Sequence, residues 1–180
     1  MSMIGITEIE YLRDRRFEDN MLEHRDERIM DRMTKMTMVA AQGLFDKVKG
    51  ESIPSERLAV VLATDTGPRE SIQEINGMIA RKGFTGINPS KFPNIMITTP
   101  LFRVLSMLQA KGPSIPLYVQ GKIHHTLQYA FVQINKGACD GVMVLHINEG
   151  QGCFGFFVET DESAKQRGVE IRFNFDCKER

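Results

Sequence analysis

The chain has 180 residues, 42% of them hydrophobic and 26% charged, and its 23 basic and 23 acidic residues cancel to a formal net charge of zero. That length suits a single domain spanning 1–180, and the composition is too apolar for a disordered chain. Zero net charge argues against a general nucleic-acid or anionic-membrane binder, which carries a basic excess.

Met1–Glu10 has neither a basic start nor a long apolar stretch, so no secretory signal is read there and the cytoplasm is the expected location. Met3–Ile9 is β-rich and reads as a first strand. Tyr11–Arg28 mixes charges of both signs (Asp14, Arg15, Arg16, Glu18, Asp19, Glu23, Arg25, Asp26) and reads as a solvated face or loop. From Ile29 the spacing turns helical through Met33, Met36, Ala40, Leu44 and Val48, until Gly50 and Pro54 stop it. Leu58–Thr64 (LAVVLAT) is an apolar run between turn residues, the mark of a strand buried on both faces. Asp65–Pro68 reads as a turn, Glu70–Lys82 as a helix and Gly83–Pro93 as a loop. Thr98 or Thr99 can cap a helix with Pro100 at its first position, running to about Ala110. Ile115–Gln120 is a strand whose Pro116 favours an edge or a strand start. A helix over Lys122–Asn135, strands at Gly141–Ile147 and Cys153–Thr160, a short helix over Asp161–Arg167 and a strand at Val169–Phe175 complete the chain. The alternation of strands and helices predicts an α/β sheet with parallel members and helices on both faces. The apolar runs Val142–Leu145 and Phe154–Val158 are far shorter than the roughly 20 residues that span a bilayer, so no membrane association is expected.

Few residues promise chemistry by spacing alone. Cys139, Cys153 and Cys177 are odd in number and show no C-x-x-C spacing, which argues for free thiols rather than disulfides or a zinc site. The 11 methionines point to an adaptable core, with an apolar interface as the second reading. His124 and His125 are neighbours, so on a helix their side chains diverge and cannot chelate one metal. His146 lies in an apolar strand and reads as a core histidine. Gly152 and Gly155 precede a strand, not a helix, so no nucleotide loop is inferred. No metal or cofactor is expected.

Five stretches, in order, resemble the N-terminal half of the β-ketoacyl synthases, condensing enzymes of the thiolase-like superfamily. They are Asp31–Lys47 (DRMTKMTMVAAQGLFDK), Arg57–Pro68 (RLAVVLATDTGP), Ile87–Gln120 with its FP and GP turns, Ala130–Glu149 (AFVQINKGACDGVMVLHINE) and Gly152–Phe175 (GCFGFFVETDESAKQRGVEIRFNF). The resemblance implies the N-terminal half of the thiolase fold: one mixed, mostly parallel five-stranded sheet with helices on both faces. It also places the family's nucleophilic Cys, which sits at the N-terminus of a buried helix where the dipole favours thiolate. Counting from Gly112 puts that position at Gly121; counting back from Ala130 puts it at Gln120. Neither residue is a nucleophile. The two catalytic His of the family come from a C-terminal half that this chain does not match.

The resemblance therefore implies a non-catalytic subunit of fatty-acid or polyketide-type acyl assembly, similar to the chain-length factors that commonly carry Gln at this position. Its partner would be a ketosynthase, an acyl carrier protein or an acyl chain. Two alternatives stay open: a malonyl-thioester decarboxylase using Gln120 with His from a partner chain, or a repurposed homodimeric ligand-binding protein. Gln120, His124 and His125 are the candidate ligand-facing residues. By the same resemblance, Ile115, Leu117 and Val119 would pair antiparallel across a two-fold axis, in a homodimer or in a heterodimer with a full-length ketosynthase. On the Lys122–Asn135 helix, Ile123, Leu127, Ala130, Phe131 and Ile134 form an apolar stripe. Lys122, Thr126, Tyr129 and Gln133, with His125 and Gln128 beside them, form a polar stripe expected to face solvent. The apolar stripe, Leu58–Leu62 and Val142–Leu145 are expected to share one core.

Overall fold

A computed structural model of the protein describes residues 3–18, 21–22, 26–121, 123–148 and 150–175. In chain order its elements are strand β1 (Ile4–Arg13), helix α1 (Arg32–Lys47), β2 (Leu58–Thr64), α2 (Arg69–Lys82), α3 (Thr98–Leu108), β3 (Ile115–Tyr118), α4 (His124–Asn135), β4 (Gly141–Asn148), β5 (Gly152–Thr160), α5 (Asp161–Gln166) and β6 (Phe173–Phe175). Short 3-10 turns at Phe84–Gly86 and Pro89–Ile95 occupy the loop expected between α2 and α3.

The six strands form one sheet in the order β3-β2-β4-β5-β1-β6. β2 pairs in parallel with both β3 and β4, whereas β4–β5, β5–β1 and β1–β6 are antiparallel. The sheet is thus mixed, as expected, with β1 to β4 running one way, but it has six strands rather than five. The direction of pairing follows from the connections. Helical crossovers join β2, β3 and β4, while only residues 149–151 separate β4 from β5, and so short a link permits only an antiparallel hairpin.

Every residue of β2 is buried, and alternate residues serve different sides. Leu58, Val60 and Leu62, with Met143, Leu145, Ile147 and Phe157, pack beneath α1 and α3. Ala59 and Val61, with Val142, Val144 and Val158, pack beneath α4. The single core expected from the sequence is therefore two cores, divided by the sheet itself. The first is rich in buried methionine (Met30, Met33, Met36, Met38, Met143), in line with the adaptable core read from composition. Gly141 belongs to this packing, since a Cβ there would stand 2.6 Å from Cζ of Phe157.

Several boundaries differ from the sequence reading. α1 starts at Arg32 rather than Ile29, because Asp31 caps it: its carboxylate accepts from the Thr34 N–H at 2.8 Å and from the Ser71 hydroxyl at 2.8 Å. Pro100 is the third residue of α3, still in the first turn where its missing N–H costs nothing. The charged stretch after Ile9 is less solvated than expected. Tyr11–Arg13 extends β1, and Phe17 and Leu22 are buried beneath α1. Asp14 pairs with Arg32 at 2.9 Å and Asp26 with Arg103 at 2.7 Å, so these charges fasten the segment to α1 and α3. Asp19, Glu23 and Arg25 lie outside the described residues. β6 is shorter than expected because the chain turns through Gly168 (φ 66°) and rejoins β1 only where the Arg172 N–H donates to the Ile6 carbonyl.

Opposite the ends of the parallel strands, Glu159 of β5 is fully buried. Its carboxylate accepts from the Thr7 hydroxyl at 2.7 Å and pairs with the Arg167 guanidinium, which also donates to the carbonyls of Val48 and Ser163. Thr7 reaches it because β1 carries a bulge between Ile6 and Glu8.

Candidate functional site

At the carboxyl ends of adjacent parallel strands whose connections leave on opposite faces, the backbone splays and a crevice opens. β2 and β3 meet that condition. The chain leaving β2 leads to α3 on one face of the sheet, and the chain leaving β3 leads to α4 on the other. Both residues proposed for the nucleophile position lie at this point. Gln120 and Gly121 form the turn between β3 and α4, and both are left-handed, with φ of 45° and 74°. Glycine takes that conformation freely, but for glutamine it costs about 1–2 kcal/mol. Gln120 is exposed.

The turn is tied to its neighbours by polar side chains. An oxygen of the Asp65 carboxylate, just beyond β2, accepts from the Gly121 N–H at 2.7 Å. Asn148, the last residue of β4, donates from Nδ2 to the other oxygen at 2.9 Å, and its Oδ1 accepts from the Asp65 N–H at 2.9 Å. These contacts hold the Asp65 carboxyl below its ordinary value of 3.8, the Gly121 amide first among them, against a desolvation that works the other way. Nε2 of His146 stands 3.4 Å from Asp65, enclosed and without a hydrogen-bond partner among the described residues. His146 is thus half-buried beside a carboxylate rather than a hydrogen-bonded core histidine. Tyr118 lies over the turn after β2, where a Cβ on Gly67 would clash with its hydroxyl.

His124 and His125 open α4, both exposed, with ring centroids 4.2 Å apart and planes at 62°. They sit beside the Gln120 turn in sequence and present separate rings. The buried line of α4 is Thr126, Ala130 and Ile134, flanked by the half-buried Leu127, Tyr129 and Phe131. Thr126, expected in the polar stripe, is fully buried because its hydroxyl donates to the Ile123 carbonyl of its own turn. Gln133 is half-buried, while His125 and Gln128 face solvent as expected; Lys122 lies outside the described residues. Of the interface candidates, Ile115 and Leu117 are half-buried on the sheet edge, and Val119 is buried just past the strand, where its N–H donates to the Thr64 carbonyl.

Neither described cysteine serves this site. Cys139 precedes β4 at the far end of the sheet, and burial pushes its thiol up to about 11. Cys153 is buried on the α1 face and is likewise raised by burial. Cys177 lies outside the described residues. Sequence reasoning located Gln120 and Gly121 by counting, but it read Asp65 only as a turn residue and overlooked Asn148. The available signal was a polar residue at the end of each of two apolar strands.

No protein-family model matches the sequence, and no curated protein does. Solved structures do match. A chain of a type II polyketide synthase complex, an acyl-carrier protein with its ketosynthase bound to the hexaketide, superposes with a TM-score of 0.82 at 10% identity. That match covers 95% of this chain and 66% of the other. The ishigamide ketosynthase/chain length factor gives 0.73 at 17% identity, covering 89% and 63%. A ketosynthase in complex with its chain length factor from Xenorhabdus doucetiae gives 0.69 at 12%, covering 88% and 79%. The chain has the thiolase-like fold of ketosynthases and chain length factors. It spans less than two thirds of the first two chains it matches. Among the described residues, no helix is long and apolar enough to cross a membrane.

Proposed function

We propose that this chain is a non-catalytic, chain-length-factor-type partner of a ketosynthase in polyketide- or fatty-acid-type acyl assembly. The observation that carries the proposal is Gln120. At the strand–helix turn where the resemblance puts the acyl-accepting thiol, this chain holds an amide in a left-handed backbone. A carboxamide can donate and accept hydrogen bonds but cannot take an acyl group as a thiolate does. The two described cysteines are buried with raised thiols, so neither substitutes for it. In this reading Gln120, His124 and His125, all exposed where β3 passes into α4, meet an acyl thioester or a partner's active site.

The β3 edge supports the partner reading. β3 pairs with β2 on one side only, and its outer edge carries no charged residue to discourage pairing, while the exposed Tyr118 lies over the turn at Gly67. Ile115 and Leu117 are the proposed contacts, to a full-length ketosynthase or a second copy of this chain. Incubating the purified chain with acyl carrier thioesters should leave its mass unchanged, and co-expression with a ketosynthase should yield a heterodimer by light scattering. An acyl adduct on the chain overturns the non-catalytic reading. A stable homodimer that ignores ketosynthases would favour a repurposed ligand-binding protein.

A further inference from the structure

We propose that Asp65 is the positioning residue of the Gln120 turn: it holds Gln120 and Gly121 left-handed through the Gly121 amide, with Asn148 as its brace. The value of presenting Gln120 this way rests on the function proposed above; the conformational claim does not.

Among the described residues, the last backbone link between β2 and the chain leaving β3 is the Val119 N–H on the Thr64 carbonyl, at 3.2 Å. One residue further on, the side chain of Asp65 takes over, accepting from Gly121 at 2.7 Å. A lone carboxylate on a loop would swing away from such a contact. Asn148 prevents that by bonding both the main chain and the side chain of Asp65, at 2.9 Å each. Asn148 is itself almost fully buried at the end of β4, so the brace is anchored in the sheet. The two carboxylate oxygens are thus divided between Gly121 and Asn148, with Nε2 of His146 3.4 Å from the oxygen that serves Gly121, and charge-assisted bonds of this kind are the stronger class. Reversing the sign of φ at Gln120 would redirect its Cα–Cβ bond, so this clamp decides where the carboxamide points.

The test is made by NMR on the isolated chain, so a failure to bind any ketosynthase would count against the function alone. An intense intraresidue NOE between HN and Hα of Gln120, the mark of a positive φ, should be present in the wild type; it should weaken in Asp65→Asn, whose amide oxygen can accept from Gly121 but whose NH2 then faces the donating Nδ2 of Asn148. Asp65→Ala should abolish that signature while the β2 and β4 amides keep their shifts. In the wild type the Gly121 amide proton should follow one carboxyl titration below pH 3.8, and Asp65→Asn should remove it. That second readout decides the matter if Asp65→Ala does not fold. A positive φ at Gln120 that survives Asp65→Ala, or a Gly121 amide indifferent to pH in the wild type, overturns the proposal.

Discussion

The two faces of the sheet are finished to different degrees. On one, α1 and α3 close over Leu58, Val60, Leu62, Met143, Leu145 and Phe157, and the large side chains there are fully buried. On the other, α4 covers β2 and β4 but leaves the aromatic side chains toward the ends of β5 and β1 in contact with solvent. Tyr11 and Phe154 are 40% and 38% exposed, stacked with centroids 3.8 Å apart, and the Arg13 guanidinium lies 5.5 Å from the Tyr11 centroid. Large apolar side chains on the two faces therefore gain unequal stabilisation, because burial depends on what lies above the sheet and not on the side chain alone.

Graded substitutions can break that comparison. Phe157→Ala, on the covered face, should cost about 3–5 kcal/mol in urea unfolding, since it removes a wholly buried ring. Arg167→Ala should cost a similar amount, about 3–5 kcal/mol by thermal or chemical unfolding, because it strands the buried Glu159 carboxylate. Ile134→Ala, on the buried line of α4, should cost about 2–4 kcal/mol. The half-buried Leu127 should cost roughly half as much as Ile134 in the same assay, because less of its surface leaves water on folding. Phe154→Ala, on the open side, should cost less than Phe157→Ala, about 1–3 kcal/mol, since its ring loses only partial burial together with its stacking on Tyr11. If Phe154→Ala matched Phe157→Ala, the open side would have to be covered in solution.

The smallest expected effect is a matter of pH. The Asp65 carboxyl is held below 3.8 in the folded chain, so its stabilising contribution is fully present above that value and fades as the pH drops through the lowered one. Asp65→Asn should flatten that acid limb of a stability-versus-pH curve by lowering the neutral region to the acid level, since the ionised carboxylate acts only above the lowered value.

Much of the fold was legible in the residues. The LAVVLAT run at Leu58–Thr64 matched its strand at both ends, because a short apolar segment between turn residues has few other ways to bury itself. The order of α1 to α4 followed from helical spacing, whereas helix starts were misplaced where a side-chain cap decided them, as Asp31 did for α1. Thr126 misled for a related reason: its hydroxyl is satisfied within its own helix, so a polar letter occupies a buried position. The Gln120 turn was found by counting along a resemblance, but Asp65 and Asn148 are 83 residues apart in sequence and nothing local links them.

By itself the sequence determined the order and type of the main secondary-structure elements, the absence of a nucleophile at residues 120 and 121, and an apolar pattern that fits both faces of the strands, since each depends on residue type and near-neighbour spacing. The tertiary structure decided the strand order, the division into two cores, the open half of one face and the clamp on the Gln120 turn. Those depend on which distant segments meet, and contacts across 83 residues arise only when the sheet brings β2 and β4 side by side.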